Sequence, residues 1–142
     1  MLNKVLCVDD DPVTLMICDI MLEKANFCQR VEQAAGGTSA LKYLKNQIEQ
    51  TDGQLPDAIL LDINMPVMNG WEFLEEYVEK YQAHMPDCKI IILTSSVNPE
   101  DKELAEKHPD VTDFMPKPIT LDGLEALKTI PALRKYFARY IA

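Results

Sequence analysis

Short runs of consecutive apolar residues alternate along this chain with longer segments in which apolar residues recur at helical spacing. The apolar runs are rich in β-branched residues, which is typical of strands buried on both faces of a parallel sheet. These runs predict five strands, at residues 5–8, 27–34, 58–61, 89–93 and 111–115. The second run is the least apolar, so we expect that strand to lie nearer an edge of the sheet.

The segments between the runs predict five helices, several of which begin with residues that favour a helix start. Asp11 can cap the first helix, with Pro12 in its first turn. Asn69 and Asn98 occupy the same capping position before the third and fourth helices. We expect the last helix to be interrupted at Pro131, because proline lacks the backbone donor that a helix interior requires.

Strict alternation of strands and helices predicts an α/β fold. Its doubly wound, five-stranded parallel sheet is covered by helices on both faces. A chain of 142 residues is about the size of one domain. We therefore expect a single domain over residues 1–142, with a last helix that extends beyond about residue 131.

Composition and charge narrow the possible partners. The net charge of −9 disfavours direct binding to the phosphate backbone of nucleic acids. No apolar run approaches the roughly 18 to 20 residues that a membrane helix needs. The N-terminus lacks the basic and apolar regions of a signal peptide, so we expect a cytoplasmic protein that does not bind membranes.

Polar residues follow the predicted strands at the edge where sheets of this kind bind their ligands. Asp9 and Asp10 follow the first strand and Asp62 follows the third. Thr94 follows the fourth strand, and Lys117 follows the fifth. Because the carboxyl ends of parallel strands meet at one edge, we expect these side chains to converge.

Converging carboxylates suit a hard cation such as Mg²⁺, which takes oxygen ligands. They repel one another unless a cation neutralises them. The alternative is that the acidic cluster only caps a helix and lies in solvent, which fits Asp11. Asp62 is either a further metal ligand or a nucleophile, since a carboxylate can attack phosphorus to form an acyl phosphate. Lys117 and the Thr94 hydroxyl would then stabilise the phosphoryl group.

Four motifs, in this order, resemble the receiver domain of two-component response regulators over essentially the whole chain. They are VLCVDDDP at residues 5–12, LDINMPVMNG at 61–70, ILTSS at 92–96 and FMPKP at 114–118. The resemblance implies a flavodoxin-like (βα)5 fold with strand order 2-1-3-4-5, as in the chemotaxis receiver. It also implies that Gly70 is needed where the backbone turns after the third strand.

The resemblance assigns the metal and phosphorylation chemistry to individual residues. It implies that Asp62 receives a phosphoryl group from a histidine kinase or a phosphotransfer protein, with Mg²⁺ as cofactor. Asp10 would be a direct metal ligand, and Asp9 would act largely through water. Asp62 and the backbone carbonyl of Asn64 would complete the protein's ligands.

The same resemblance implies a conformational switch. Lys117 would contact the phosphoryl group, and Thr94 would move inward to hydrogen-bond it. Phe114 would then move into the vacated space, by packing alone because it lacks the hydroxyl of the tyrosine often found there. The fourth helix, fifth strand and fifth helix would form the face that reports the change.

The leading hypothesis is a phosphorylation-dependent signalling switch that acts through protein contacts and is not an enzyme beyond its own phosphoryl transfer and dephosphorylation. A pseudo-receiver that does not turn over phosphate is the alternative, although the intact Asp62 and Lys117 argue against it. A small phosphohydrolase would need a second acid where this chain has Asn64. A flavin carrier would need a phosphate-binding loop after the first strand, where this chain is acidic.

Overall fold

The computed structural model describes residues 1–50, 53–96 and 98–138. Five strands and five helices alternate along these ranges, as the sequence predicts. The strands are β1 (Leu2–Val8), β2 (Cys28–Ala34), β3 (Ala58–Leu61), β4 (Lys89–Thr94) and β5 (Asp113–Pro116). The helices are α1 (Pro12–Lys24), α2 (Gly37–Glu49), α3 (Gly70–Lys80), α4 (Pro99–Lys107) and α5 (Leu121–Lys128). Short 3₁₀ turns follow α3 and α5, at Gln82–His84 and Arg134–Phe137.

All five strands are parallel, in the order β2-β1-β3-β4-β5. This order is the one that the resemblance implies, and β2 lies at an edge as its weaker apolar pattern predicts. The connection from β1 leads to β2 on one side of the sheet, whereas the connection from β3 leads to β4 on the other side, so the topology switches between β1 and β3. In open α/β sheets, ligands bind beyond the carboxyl ends of the strands at such a point.

The central strands are apolar at successive residues because both faces of the sheet are buried. In β1, Val5 and Cys7 pack into a core shared with α1 and α5. The alternate residues Leu6 and Val8 pack into a second core shared with α2 and α3. The residues of β3 and β4 alternate between the two cores in the same way.

Side-chain caps fix where several helices begin, and so where the loops beyond the strands end. The carboxylate of Asp11 accepts a 3.0 Å hydrogen bond from the backbone N–H of Val13. Asn69 and Glu72 form a reciprocal capping box at the start of α3. Asn98 accepts a 3.0 Å hydrogen bond from the N–H of Glu100 at the start of α4. The three predicted helix starts are therefore confirmed.

The C-terminal elements differ in extent from the prediction. β5 begins at Asp113 rather than at residue 111, because the N–H of Val111 bonds back to the carbonyl of His108 in a turn. α5 ends at Lys128, before Pro131, and the chain beyond that proline forms a 3₁₀ turn rather than a continued helix. Residues 139–142, over which the predicted domain would continue, lie outside the described residues. No helix in the described ranges is long and apolar enough to cross a membrane.

Candidate functional site

Three carboxylates converge beyond the carboxyl ends of β1 and β3. One oxygen each of Asp9, Asp10 and Asp62 lies within 4.8 Å of the other two. Asp9 and Asp62 are buried, whereas Asp10 is exposed. The structure therefore brings together the three carboxylates that the sequence places at strand ends.

Lys117 places its ammonium group between two of these carboxylates. Its Nζ forms an ion pair with Oδ2 of Asp9 and lies 3.4 Å from Oδ2 of Asp62. The backbone N–H of Lys117 donates a 2.9 Å hydrogen bond to the carbonyl of Thr94, which anchors the residue to the end of β4. The side chain thus acts as a counter-charge inside the acidic cluster.

Burial and neighbouring charges shift the pKa values of Lys117 and Asp62. Burial favours the neutral form of Lys117, but the hydrogen bond with Asp9 and the charges of Asp62 and Asp9 outweigh it, so the Lys117 pKa is raised. The pKa of Asp62 is raised above its usual value, chiefly because the carboxyl is buried. The N–H of Asn64 and the charge of Lys117 oppose that rise. Asp62 is therefore a desolvated carboxyl group whose charge the protein compensates only in part.

Asn64 and Thr94 meet beside Asp62. The N–H of Asn64 donates a 3.1 Å hydrogen bond to Oδ1 of Asp62. The Asn64 side chain also donates to the hydroxyl of Thr94, at 3.4 Å. Thr94 is buried, and its hydroxyl accepts a second hydrogen bond, of 3.1 Å, from the N–H of Ser96. The role of the Asn64 carbonyl as a metal ligand stays a prediction.

A chain of hydrogen bonds that sequence reasoning missed runs from this site towards α3 and α4. The hydroxyl of Ser96 donates to Oδ2 of Asp101 at 2.7 Å. The indole N–H of Trp71 donates to the other oxygen of Asp101 at 3.4 Å. Trp71 in turn stacks on His108, with ring centroids 6.3 Å apart. No spacing rule relates residues 71 and 101, so only the fold could have revealed this connection.

Phe114 is half-buried on β5 and packs against the second core. In the β4–β5 ladder it is aligned with Ile92, and Pro116 is aligned with Thr94. Phe114 therefore lies on the edge strand β5, two residues closer to the N-terminal ends of the strands than the position opposite Thr94. Its predicted movement towards Thr94 stays a prediction.

Gly70 is required by close packing rather than by an unusual backbone turn. A Cβ atom at this position would lie 2.6 Å from the carbonyl oxygen of Asp62 and 2.6 Å from the Cα of Ile63. Both are backbone atoms, which cannot move aside cheaply. The expectation that Gly70 supplies a turn conformation is wrong, because none of the described glycines has a positive φ.

The turn after β3 is instead made at Val67. This residue has a φ of 68° and is 97% exposed. The N–H of Met68 donates a 2.7 Å hydrogen bond to the carbonyl of Pro66, which closes a three-residue turn around it. A β-branched residue rarely adopts this conformation, so the loop that carries Asn64 holds some backbone strain.

Known proteins resemble this chain in both sequence and fold. A sequence model of the response regulator receiver domain matches residues 5–130. Protein PilH of Pseudomonas aeruginosa is 28% identical over 130 residues, covering 92% of this chain and 96% of PilH. Among solved structures, a two-component response regulator from Cytophaga hutchinsonii superposes with a TM-score of 0.81 at 27% identity, covering 89% of this chain and 93% of that one. The chemotaxis response regulator CheY4 of Vibrio cholerae is 31% identical with a TM-score of 0.68, covering 89% and 96%.

Other relatives are much longer than this chain. The chain spans between 7% and 50% of the length of several curated relatives that it matches. One of them is a protein-glutamate methylesterase/protein-glutamine glutaminase, of which the chain covers 20%.

Proposed function

The chain belongs to the response regulator receiver domain family, whose members are phosphorylation-dependent switches of two-component signalling, and we propose that Asp62 carries its phosphoryl group. The observation that carries this proposal is the Lys117 ammonium, 3.4 Å from Oδ2 of Asp62. A buried carboxylate with two acidic neighbours and one cation is arranged to receive a negatively charged group once a second cation is present. Receiver domains are signalling modules, and we assign no reaction to this one beyond its own phosphorylation and dephosphorylation.

The residues present fit a magnesium ion. Carboxylates of Asp9, Asp10 and Asp62 offer the oxygen donors that this hard cation prefers, and we add the carbonyl of Asn64 as a proposed ligand. When bound, Mg²⁺ would neutralise the carboxylates and the oxygens of the incoming phosphoryl group. Lys117 then no longer needs to compensate the charge of Asp9.

The transfer step follows from the two different environments of the Asp62 oxygens. Oδ1 is held by the N–H of Asn64, whereas Oδ2 faces Lys117. We assign the attack on phosphorus to Oδ2. The new O–P bond forms as the P–N bond to the donor histidine breaks, and its electron pair stays on the imidazole nitrogen. Lys117 turns from Asp9 to a phosphoryl oxygen and stabilises its charge.

Thr94 connects the modified carboxylate to the rest of the protein. Its hydroxyl now accepts hydrogen bonds from Ser96 and Asn64. The hydroxyl still has its own hydrogen to donate. If the side chain moves inward to give that hydrogen to a phosphoryl oxygen, its hydrogen bond with the N–H of Ser96 lengthens and the loop after β4 adjusts. We propose that this adjustment, with movement of Phe114, reports phosphorylation at the face formed by α4, β5 and α5.

The phosphodonor needs a surface beside the site, and α1 offers one. Val13 and Met16 are each 55% exposed, and Ile20 is 44% exposed, at helical spacing along this helix. A small cavity of about 220 Å³ next to this stripe is lined by Ile17 and Lys117, among others. We propose that a histidine kinase or phosphotransfer protein docks here, because the cavity on α1 is lined by Lys117, which also contacts Asp9 and lies near Asp62. The cytoplasmic location stays a prediction.

The experiment that tests this function is the intact mass of the protein after incubation with acetyl phosphate and Mg²⁺. We expect a labile phosphoryl adduct that is absent from a chelator-treated sample and from the Asp62→Asn variant. An adduct that persists in either control would contradict the proposal. Magnesium binding without any adduct would favour the pseudo-receiver, and the search for partners would then use unmodified protein.

A further inference from the structure

A groove lies between α3 and α4, on the far side of the Ser96–Asp101–Trp71 hydrogen-bond chain from the phosphorylation site. Its volume is about 460 Å³, and its walls include Trp71, Val78, Leu104 and Pro109. Leu104 is 52% exposed, although it is a large aliphatic residue. The groove is therefore an apolar surface that the described part of the chain leaves uncovered.

Helical spacing explains why these side chains share one surface. Trp71, Glu75 and Val78 follow one another at intervals of four and three residues on one side of α3. Leu104 and His108 are four residues apart on α4 and its C-cap, and His108 stacks on Trp71. The groove therefore has an apolar floor between two helical walls, α3 and α4.

The rim of the groove carries two carboxylates, and the helices that form the groove have an excess of acidic residues. The twenty residues of α3 and α4 contain eight acidic and three basic residues. Two of the lysines are already paired within their own helix, Lys80 with Glu76 and Lys107 with Glu103, each at 2.5 Å. Glu75, which is exposed, lines the groove itself, together with Asp110. Two carboxylates thus lie at the edge of an apolar floor.

We propose that this groove docks a cationic amphipathic segment of a partner protein, with aliphatic side chains on the floor and lysines or arginines against the acidic rim. Charge complementarity selects such a segment, since it attracts cations and repels acidic partners. Recognition of an amphipathic segment by anchors in an apolar groove is a common mode of peptide binding. The groove shares α4 with the α4–β5–α5 face, and its Trp71 is joined to the loop after β4 through Asp101 and Ser96.

A second copy of this chain is the main competing occupant. The chain carries a net charge of −9, so two copies repel each other in general. A local basic patch at Arg134 and Lys135 could nevertheless approach the groove of another molecule. We therefore include self-association as an outcome that the experiment distinguishes.

Trp71 makes the test direct, because it is the one tryptophan of the chain and it lines the groove. The probe is a synthetic amphipathic peptide with leucines on one helical side and lysines on the other. Its titration is followed by Trp71 emission and, independently, by calorimetry. We expect saturable binding that weakens with salt, and little binding of the same peptide with glutamates in place of the lysines.

Three variants separate the groove from general charge attraction. Glu75→Lys and Leu104→Ser change exposed residues of the groove and should each weaken binding about tenfold. Glu49→Lys makes the same charge change on the exposed end of α2 and should leave affinity within about twofold.

Three outcomes would overturn the proposal. Equal weakening by Glu49→Lys and Glu75→Lys would show general charge attraction, and unchanged affinity in Leu104→Ser would show that the apolar floor is not used. Self-association in sedimentation equilibrium that Leu104→Ser abolishes would make a second copy the occupant.

Discussion

The hydroxyl of Ser96 donates a 2.7 Å hydrogen bond to Oδ2 of Asp101, and so joins the loop after β4 to α4. On one side, the N–H of Ser96 bonds to the hydroxyl of Thr94. On the other, Asp101 accepts the indole N–H of Trp71 from α3. A displacement of Thr94 is therefore coupled, through three hydrogen bonds and the loop after β4, to the environment of Trp71.

We expect phosphorylation to change the emission of Trp71. If the Thr94 hydroxyl leaves Ser96 for a phosphoryl oxygen, the contact between Ser96 and Asp101 must adjust and the indole N–H with it. Acetyl phosphate and Mg²⁺ should shift or quench the emission in the wild-type protein. In Ser96→Ala the change should be reduced by at least about half, at an equal adduct level by mass.

Ser95→Ala is the matched control for this measurement, since Ser95 is the exposed neighbour of Ser96. Its emission change should equal that of the wild type. An undiminished change in Ser96→Ala would mean that Trp71 senses the phosphoryl group by another route.

Lys117→Ala should weaken phosphorylation and strengthen metal binding. The Lys117 ammonium forms an ion pair with Asp9, and its Nζ lies 3.4 Å from Oδ2 of Asp62. It therefore competes with Mg²⁺ for the same carboxylates. Its removal should tighten Mg²⁺ binding by about tenfold and slow the formation of the adduct by about 100-fold. Calorimetry and time-resolved mass spectrometry measure the two effects, with Lys45→Ala on the surface of α2 as the control. Weaker magnesium binding in Lys117→Ala would contradict this account.

Gly70→Ser should destabilise the fold by about 2–4 kcal/mol. The added Cβ would meet the carbonyl of Asp62 and the Cα of Ile63 at 2.6 Å. Gly36→Ser is the matched control, because the space around its Cβ is open within 4 Å and serine is a favourable N-cap. Urea unfolding of both variants measures the difference. Equal free energies of unfolding would show that close packing does not explain Gly70.

Stability should fall at alkaline pH, in part because of Cys28. Burial raises the pKa of this thiol from 9.0 to about 11. Between those values the unfolded chain loses the proton while the folded protein keeps it. The unfolded state is therefore favoured as pH rises, at up to about 1.4 kcal/mol per pH unit. In Cys28→Ala the free energy of unfolding should decline less steeply between pH 9 and 11, whereas an identical slope would exclude this contribution.

The sequence was sufficient to predict the topology and the convergence of acidic groups because both depend on local patterns. The continuous apolar run of β3 requires two buried faces, and a parallel sheet then places Asp62 at the same edge as Asp9. The helix starts at Asp11 and Asn69 follow from side-chain chemistry within three residues. Such relations need no knowledge of how distant segments pack.

The features that sequence reasoning missed or explained wrongly depend on distant contacts. The sequence predicts a turn at Gly70, whereas the positive φ lies at Val67 and the glycine is needed because two backbone segments approach each other. The hydrogen bond between Trp71 and Asp101 joins α3 to α4 across thirty residues of sequence. The groove between these helices follows from their packing, which no local pattern encodes.

The position of the phosphoryl group is the most direct test of the central claim. After incubation with acetyl phosphate and Mg²⁺, reduction with borohydride converts an aspartyl phosphate to homoserine, which peptide mass spectrometry can locate. We predict homoserine at residue 62 and unmodified aspartates at residues 9 and 10. Homoserine at either of those positions, or a phosphoryl adduct with residue 62 unmodified, would contradict the assignment of Asp62 as the phosphoacceptor.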